Sequence, residues 1–200
     1  MQIIRYAELK PRPWRNGGGV TREVARFPEA GGQGAADGSW DWRVSIAEMS
    51  KAGDFSAFPG MDRVLTVVEG ELLLLSVDGA EHPLEKYRPF RFSGDAAAAG
   101  ALPTGEVRDL NVITRRGAFK GYTSIIELSK KRAHPVFDGQ LGILLQGTAA
   151  VTPGAADGIA AGAEPRTLDR YDAVVGSDSA SPEILGRGFL AVVSIDPAAD

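Results

Sequence analysis

The sequence predicts an all-β protein, with two sandwiches or barrels carried in one chain. Twenty-five glycines and twelve prolines punctuate short apolar runs, the spacing expected of many strands joined by turns. Hardly any segment shows the 3.6-residue periodicity of an amphipathic helix. The strand and turn at Val64–Gly70 find an outline copy at Leu141–Thr148. Two half-similar sets of strands fit a pair of barrels better than one large sheet.

The elements follow in order. Met1–Tyr6 reads as a first strand, stopped by Pro11 and Pro13. Val20–Ala25 is strand-like, and Gly31–Ser39 is a flexible loop. From Trp40 to Glu48 the residues alternate, so Trp42, Val44 and Ile46 face one way and Arg43, Ser45 and Ala47 the other. Gly53–Gly60 is a turn-rich crossing with Phe55 and Phe58 as packing anchors. Arg63–Val68 and Leu72–Val77 form a hairpin around Glu69-Gly70-Glu71. Pro89–Phe92 precedes Ala96–Ala99, read as a loop or a turn of helix. Asp109–Thr114, Gly121–Leu128, Leu141–Thr148, Leu168–Val175 and Gly188–Ile195 are further strands, with a mobile loop expected at Pro153–Pro165.

Bulk properties exclude several classes of function. An apolar fraction of 44% and a charged fraction of 24% are ordinary for a soluble globular protein. A formal net charge of −4 argues against a general nucleic-acid binder. Lys130-Lys131-Arg132 is one short basic cluster of the kind that decorates a loop. There is no cysteine, hence no disulfide, thiolate nucleophile or thiolate metal site. The N-terminus lacks the apolar core of a signal peptide. No run approaches the roughly 20 apolar residues of a membrane span. A cytoplasmic protein with no membrane partner is expected.

Gly17-Gly18-Gly19 stands out, because ordering three consecutive glycines is entropically costly. A phosphate-cradling loop would need a preceding strand, a following helix and a Lys-Ser/Thr pair or spaced glycines. None is present, so a tight connection at the rim of a sheet explains the run at least as well. Asn16 beside it brings a donor and an acceptor to one place.

The segment Trp14-Arg15-Asn16-Gly17-Gly18-Gly19-Val20-Thr21-Arg22-Glu23 resembles the opening signature of the HutD/Ves family. The likeness continues through Trp42–Ala47, Phe55–Arg63 and Asp109–Arg115, in the family's order, and covers most of residues 1–125. It implies a cupin-like double-stranded β-helix fold in bicupin form. A first barrel with the pocket is expected over 1–125 and a second, smaller one over 126–200, packed together as one unit. Some members are encoded with histidine-degradation enzymes and others are named as stress-induced, and no established catalysis accompanies the family.

Metal-dependent cupins carry two His and a Glu in a first motif and one further His in a second. Here Gly60–Gly70 offers Asp62, Arg63, Thr66 and Glu69, and Arg108 stands where the second motif would place its His. The two histidines, His82 and His134, are far apart and each precedes a proline. Such sites want several imidazoles with carboxylate support, so no metal and no cofactor are expected.

The remaining polar residues suggest a pocket. Arg43 and Ser45 share one strand face, and Asp109 and Asn111 another. An arginine inside a strand needs a partner or an anion; a structural pair of Arg43 with Asp109 or Glu23 is an even alternative, as is Arg63 resting over Phe58 at the rim. Asn16 and Asn111 equally suit the satisfaction of loop backbone, and Trp14 and Trp42 the core. Taken together, Asn16, Thr21, Arg43, Ser45, Arg63 and Asn111 form the expected ligand set, for a small carboxylate gripped by a planar guanidinium. Urocanate or N-formylglutamate are the candidates by analogy with the family.

Binding is therefore favoured over catalysis, in a metabolite-sensing or regulatory accessory of histidine utilisation, with no catalytic residue assigned. A metal-independent isomerase or hydrolase is the alternative and would need Asp109, Glu23 or Glu48 as general base. A stress-related protein-interaction module is the third reading. Whether the chain forms a homodimer stays open.

Overall fold

The computed structural model describes residues 1–28, 39–154 and 164–198. The loop expected at 31–39 lies, except for Ser39, outside the described residues, as does 155–163 of the loop expected at 153–165. The chain opens with β1 (Gln2–Ile4), β2 (Arg12–Pro13), β3 (Gly19–Phe27), β4 (Trp42–Met49), β5 (Gly53–Asp54) and β6 (Met61–Glu69). Next come β7 (Leu72–Val77), β8 (Ala80–Glu85), β9 (Phe90–Ser93), β10 (Ala98–Ala101), β11 (Val107–Arg115) and β12 (Phe119–Leu128). Then follow β13 (His134–Pro135), β14 (Gln140–Thr152), β15 (Arg166–Leu168), β16 (Ala173–Val175) and β17 (Glu183–Pro197). The only helical element among the described residues is a 3₁₀ turn at Tyr6–Glu8. The all-β expectation is met. The strands form three sheets, none of which closes on itself as a barrel among the described residues.

Two compact units emerge, Met1–Glu8 with Thr123–Ile195 and Leu9–Tyr122 with the tail from Asp196. The N-terminal segment Met1–Glu8 belongs to the unit of Thr123–Ile195. There β1 pairs antiparallel with β16, Ile3 opposite Val174, and the Tyr6 amide donates to Asp172 at 2.9 Å. This unit holds the sheet β1-β16-β14-β17-β12, with β13 on β17 and β15 on β14. Its core gathers Leu128, Val136, Leu144, Val151, Val174, Ile184 and Leu190.

The Leu9–Tyr122 unit is a β-sandwich. One sheet runs β2-β3-β4-β11-β6-β9 and the other β5-β10-β7-β8. Met49, Leu65, Val67 and Val107 of the first pack with Leu73, Leu75, Leu84 and Ala98 of the second. Arg43, Ser45 and Ala47 share the Met49 face of β4, Arg63 shares the Leu65 face of β6, and Asp109 and Asn111 share the Val107 face of β11. The inward face of the larger sheet is thus apolar at one end and polar at the other.

Three elements depart from the sequence reading. Arg63–Val68 and Leu72–Val77 do not form a hairpin, because the chain crosses between sheets at Glu69–Glu71: β6 pairs with β11 and β9, and β7 with β10 and β8. Ala98–Ala101 is a strand, with Ala99 opposite Ser76, because its small residues fit where the two sheets approach closely. A Cβ on Gly100 would lie 2.9 Å from Met49 Cε and 3.0 Å from Leu73 Cδ1. Leu168–Val175 is two strands, separated by a turn in which Tyr171 takes φ of 70°. Asp172 secures that turn by accepting from the Asp169 amide at 2.9 Å. His82 lies on edge strand β8, 4.6 Å from the Phe90 ring between centroids. Pro83 is tolerated there because an edge strand needs no donor on its outer side.

The glycine run is the tight connection at the sheet rim. Gly17 has φ of +66°, its amide donates to Trp14 O at 3.0 Å, and the Trp14 amide donates to Gly19 O at 2.9 Å. Asn16 Oδ1 accepts from the Gly18 amide at 3.0 Å. A Cβ on Gly19 would sit 2.4 Å from the Glu48 carbonyl oxygen and 3.0 Å from the Trp14 ring. Because backbone must then move, Gly19→Ala is expected to lower the unfolding free energy by about 1–3 kcal/mol. In urea this appears as an earlier midpoint with an unchanged slope.

Candidate functional site

The polar end of the sandwich holds an open cavity of about 510 Å³ lined by residues of β2, β3, β4, β6 and β11 and of the Gly53–Gly60 crossing. The structure brings all six residues of the expected ligand set to it: Asn16, Thr21, Arg43, Ser45, Arg63 and Asn111. Register explains the convergence. Ile113 of β11 lies opposite both Arg43 of β4 and Arg63 of β6, and Asn111 lies opposite Ser45. Thr21 of β3 faces Ala47 and accepts a hydrogen bond from Trp14 Nε1 at 2.8 Å.

The two arginines dominate the electrostatics. Arg63 is 2% exposed, and its guanidinium carbon lies 5.3, 5.3 and 4.9 Å from the centroids of Phe55, Phe58 and Phe92. Its Nη1 donates to the Ser56 carbonyl at 3.2 Å. Arg43 lies 4.7 Å from the Trp40 ring and 5.2 Å from that of Phe58, so both cations contact the Phe58 ring. Ring quadrupoles attract such cations but accept no N–H hydrogen bond in the plane of the guanidinium. The Nε atoms of both arginines are buried with no hydrogen-bond partner.

Burial lowers Arg63 to about 10, with Asp109 opposing and Arg43 reinforcing the shift. Burial also lowers Arg43, with Glu23 opposing. Both remain cations at neutral pH. The expected pairing of Arg43 with Asp109 or Glu23 does not form an ion pair within 4 Å among the described residues. Glu23 instead meets Arg26 at 3.6 Å and Arg12 at 4.0 Å. Arg63 does pack over Phe58, but inside the cavity rather than at its rim.

Asp109 is the residue that the ligand set omitted. It is 0% exposed, lines the same cavity, and neither carboxyl oxygen has a hydrogen-bond partner. Burial pushes it up to about 7, against the pull of Arg63. Asn111 Oδ1 is likewise buried and unpartnered. Phe55, Phe58, Trp14 and Asp54 complete much of the wall. The pairing of Asp109 with Asn111 on one face of β11 was the signal that could have placed Asp109 here.

The Phe58 segment is held from outside the cavity. The Phe58 amide donates to Gly94 O at 2.8 Å and the Gly60 amide to Asp95 Oδ1 at 2.9 Å. Arg116 grips Asp62 at 2.9 Å and Asp95 at 2.8 Å. Among the described residues, no group of three or more His, Cys, Asp or Glu side chains could hold a metal ion. No helix among them is long and apolar enough to cross a membrane.

An all-β, cupin-like protein with a basic, aromatic-walled cavity is the class that fold and site define. The chain belongs to the HutD family, whose family model matches residues 6–192. It is 37% identical over 129 residues to protein Ves of Citrobacter koseri, a match covering 62% of this chain. The chain spans 64% of the length of that relative. It is similar over 99% of both chains to the solved structure of HutD from Pseudomonas fluorescens SBW25, at 26% identity and a TM-score of 0.76. A cupin 2 conserved barrel domain protein from Leptotrichia buccalis shares the fold alone, at 10% identity and a TM-score of 0.57, over 98% of this chain and all of that one.

Proposed function

We propose that this protein is a non-catalytic binder of a small carboxylate, serving as a metabolite-sensing or regulatory accessory of histidine utilisation. In this reading the two β units are the two barrels of a bicupin, and the Leu9–Tyr122 unit carries the ligand. One observation supports it above others: the buried Arg63 and the half-buried Arg43 face a single cavity with buried, unpartnered Nε atoms. Two like charges in a desolvated site repel and are poorly solvated, and an anion between them relieves both. A planar carboxylate also matches the fork of N–H donors on each guanidinium. Ser45, Thr21, Asn16 and Asn111 supply further polar contacts, and the Trp14 and Phe55 rings, 6.4 Å apart, offer an apolar wall for the remainder of the ligand.

The family's association with histidine breakdown nominates urocanate and N-formylglutamate. Calorimetric titration and thermal shift with both acids test the reading. A saturable heat with one of them, lost on changing both arginines, is the expected result. No heat and no shift from either at millimolar concentration overturns it.

A second reading draws on Asp109, whose carboxyl near 7 lies in the range suited to a general base. A metal-independent isomerase or hydrolase acting on a similar acid would consume its substrate. Following each acid by proton NMR distinguishes the two, since a binder leaves it unchanged.

A further inference from the structure

The cavity that holds two cations also holds a carboxyl group with no partner for either oxygen. Asp109 is fixed on β11 between Ala47 of β4 and Val67 of β6, so its side chain cannot swing out to water. The charged groups around it are Arg63 from β6, Arg43 from β4 and Glu23 from β3, with Arg12, Arg15 and Asp54 at the lining. Glu23 is engaged by Arg26 and Arg12. An incoming carboxylate drawn to Arg43 and Arg63 therefore arrives beside a second, fully buried carboxyl group. Two carboxylates in such contact do not both stay ionised, and the pair holds one proton.

We propose that ligand capture by this site is proton-coupled: Asp109 takes up one proton from solvent and donates it in a hydrogen bond to the bound carboxylate. The arginine N–H groups then hold the ligand's charge, and Asp109 contributes a donor rather than a repulsive charge. This rests on the carboxylate-binding reading and adds its regulation by pH. At a pH where Asp109 of the free site is ionised, each captured anion must bring a proton with it. At a pH where Asp109 of the free site is protonated, the proton is already in place. Burial, which pushes the free carboxyl up to about 7 with Arg63 opposing, sets the crossover near neutrality. The site thus fills in slightly acid solution and empties in alkaline solution.

The test is calorimetry with N-formylglutamate and with formate, neither of which titrates between pH 6 and 9. Runs in buffers of different ionisation enthalpy, at pH 6 and pH 8, count the protons taken up. The expected result is close to one proton per site at pH 8 and close to none at pH 6. The affinity should fall by about tenfold per pH unit above neutrality. Asp109→Asn keeps the shape and cannot titrate, so its binding should show neither uptake nor that slope. Binding without proton uptake in the wild type, or the same uptake in Asp109→Asn, overturns the coupling and leaves carboxylate binding intact. No binding of either acid removes both. Should Asp109→Asn not fold, carboxyl-selective carbon NMR of the wild type at pH 8 decides the matter. A protonated Asp109 seen only with ligand supports the coupling, and an ionised one overturns it.

Discussion

Replacing Arg63 by Met is expected to weaken binding of the small acid by about 100-fold, since truncating one partner of a buried, hydrogen-bonded charge pair costs about 2–5 kcal/mol. Arg63→Lys keeps the charge but loses the planar fork, and an intermediate loss of about tenfold is expected. The order wild type, Lys, Met separates a requirement for geometry from one for charge alone. Arg63 is the informative position because Phe55, Phe58 and Phe92 hold the guanidinium and the Ser56 carbonyl occupies one donor. That leaves a pre-aimed group whose rotamer entropy is already lost on folding, so little is paid again on binding. Titration calorimetry measures the series, and thermal unfolding of each variant checks that the sandwich is intact. Equal affinity in all three would show that the acid, if bound, does not lean on Arg63.

The second large effect is a pH dependence of stability in the free protein. In the unfolded chain Asp109 titrates at about 3.9, and in the folded chain burial raises it to about 7. The folded state therefore binds the proton more tightly than the unfolded one. Stability falls as pH rises between about 4 and 7 and is level above that window. At 1.36 kcal/mol per unit, the contribution lost across the window is on the order of 4 kcal/mol. Asp109→Asn should remove this component, so that the variant equals or exceeds the wild type in stability at pH 8. Urea unfolding of both proteins at pH 5 and pH 8 gives the difference directly, because other carboxylates titrate alike in the two. A difference that does not change sign or size with pH would place Asp109 in contact with water.

Part of the site could be read along the chain. The alternation of Trp42–Ala47 put Arg43 and Ser45 on one face, and the run at 109–111 did the same for Asp109 and Asn111. The coupling of β6 with β11 is another matter. That Arg63 meets Arg43 across Ile113 depends on the pairing of three strands far apart in sequence, and no local pattern encodes that register. Asp109 was legible as an acidic residue on the right strand. Its burial with both oxygens unpartnered was not, because isolation of that kind is a property of its neighbours.

The misread elements follow the same division. An alanine run has high helix propensity in isolation, yet Ala98–Ala101 is a strand because only small residues fit between Met49, Leu73 and Phe55. Leu168–Val175 reads as one strand from its apolar ends, but the chain breaks at Tyr171, where the backbone is left-handed and the Asp172 carboxylate holds the turn through the Asp169 amide.

By itself the sequence determined that the chain would be all-β, would carry no cysteine chemistry, and would spend three glycines on one tight turn. Those traits follow from period, composition and local backbone sterics. Only the tertiary structure decided that two arginines and an aspartic acid share one cavity. Burial changes what each of those groups does with its charge, and burial is set by the whole sandwich rather than by the residues beside them in the chain.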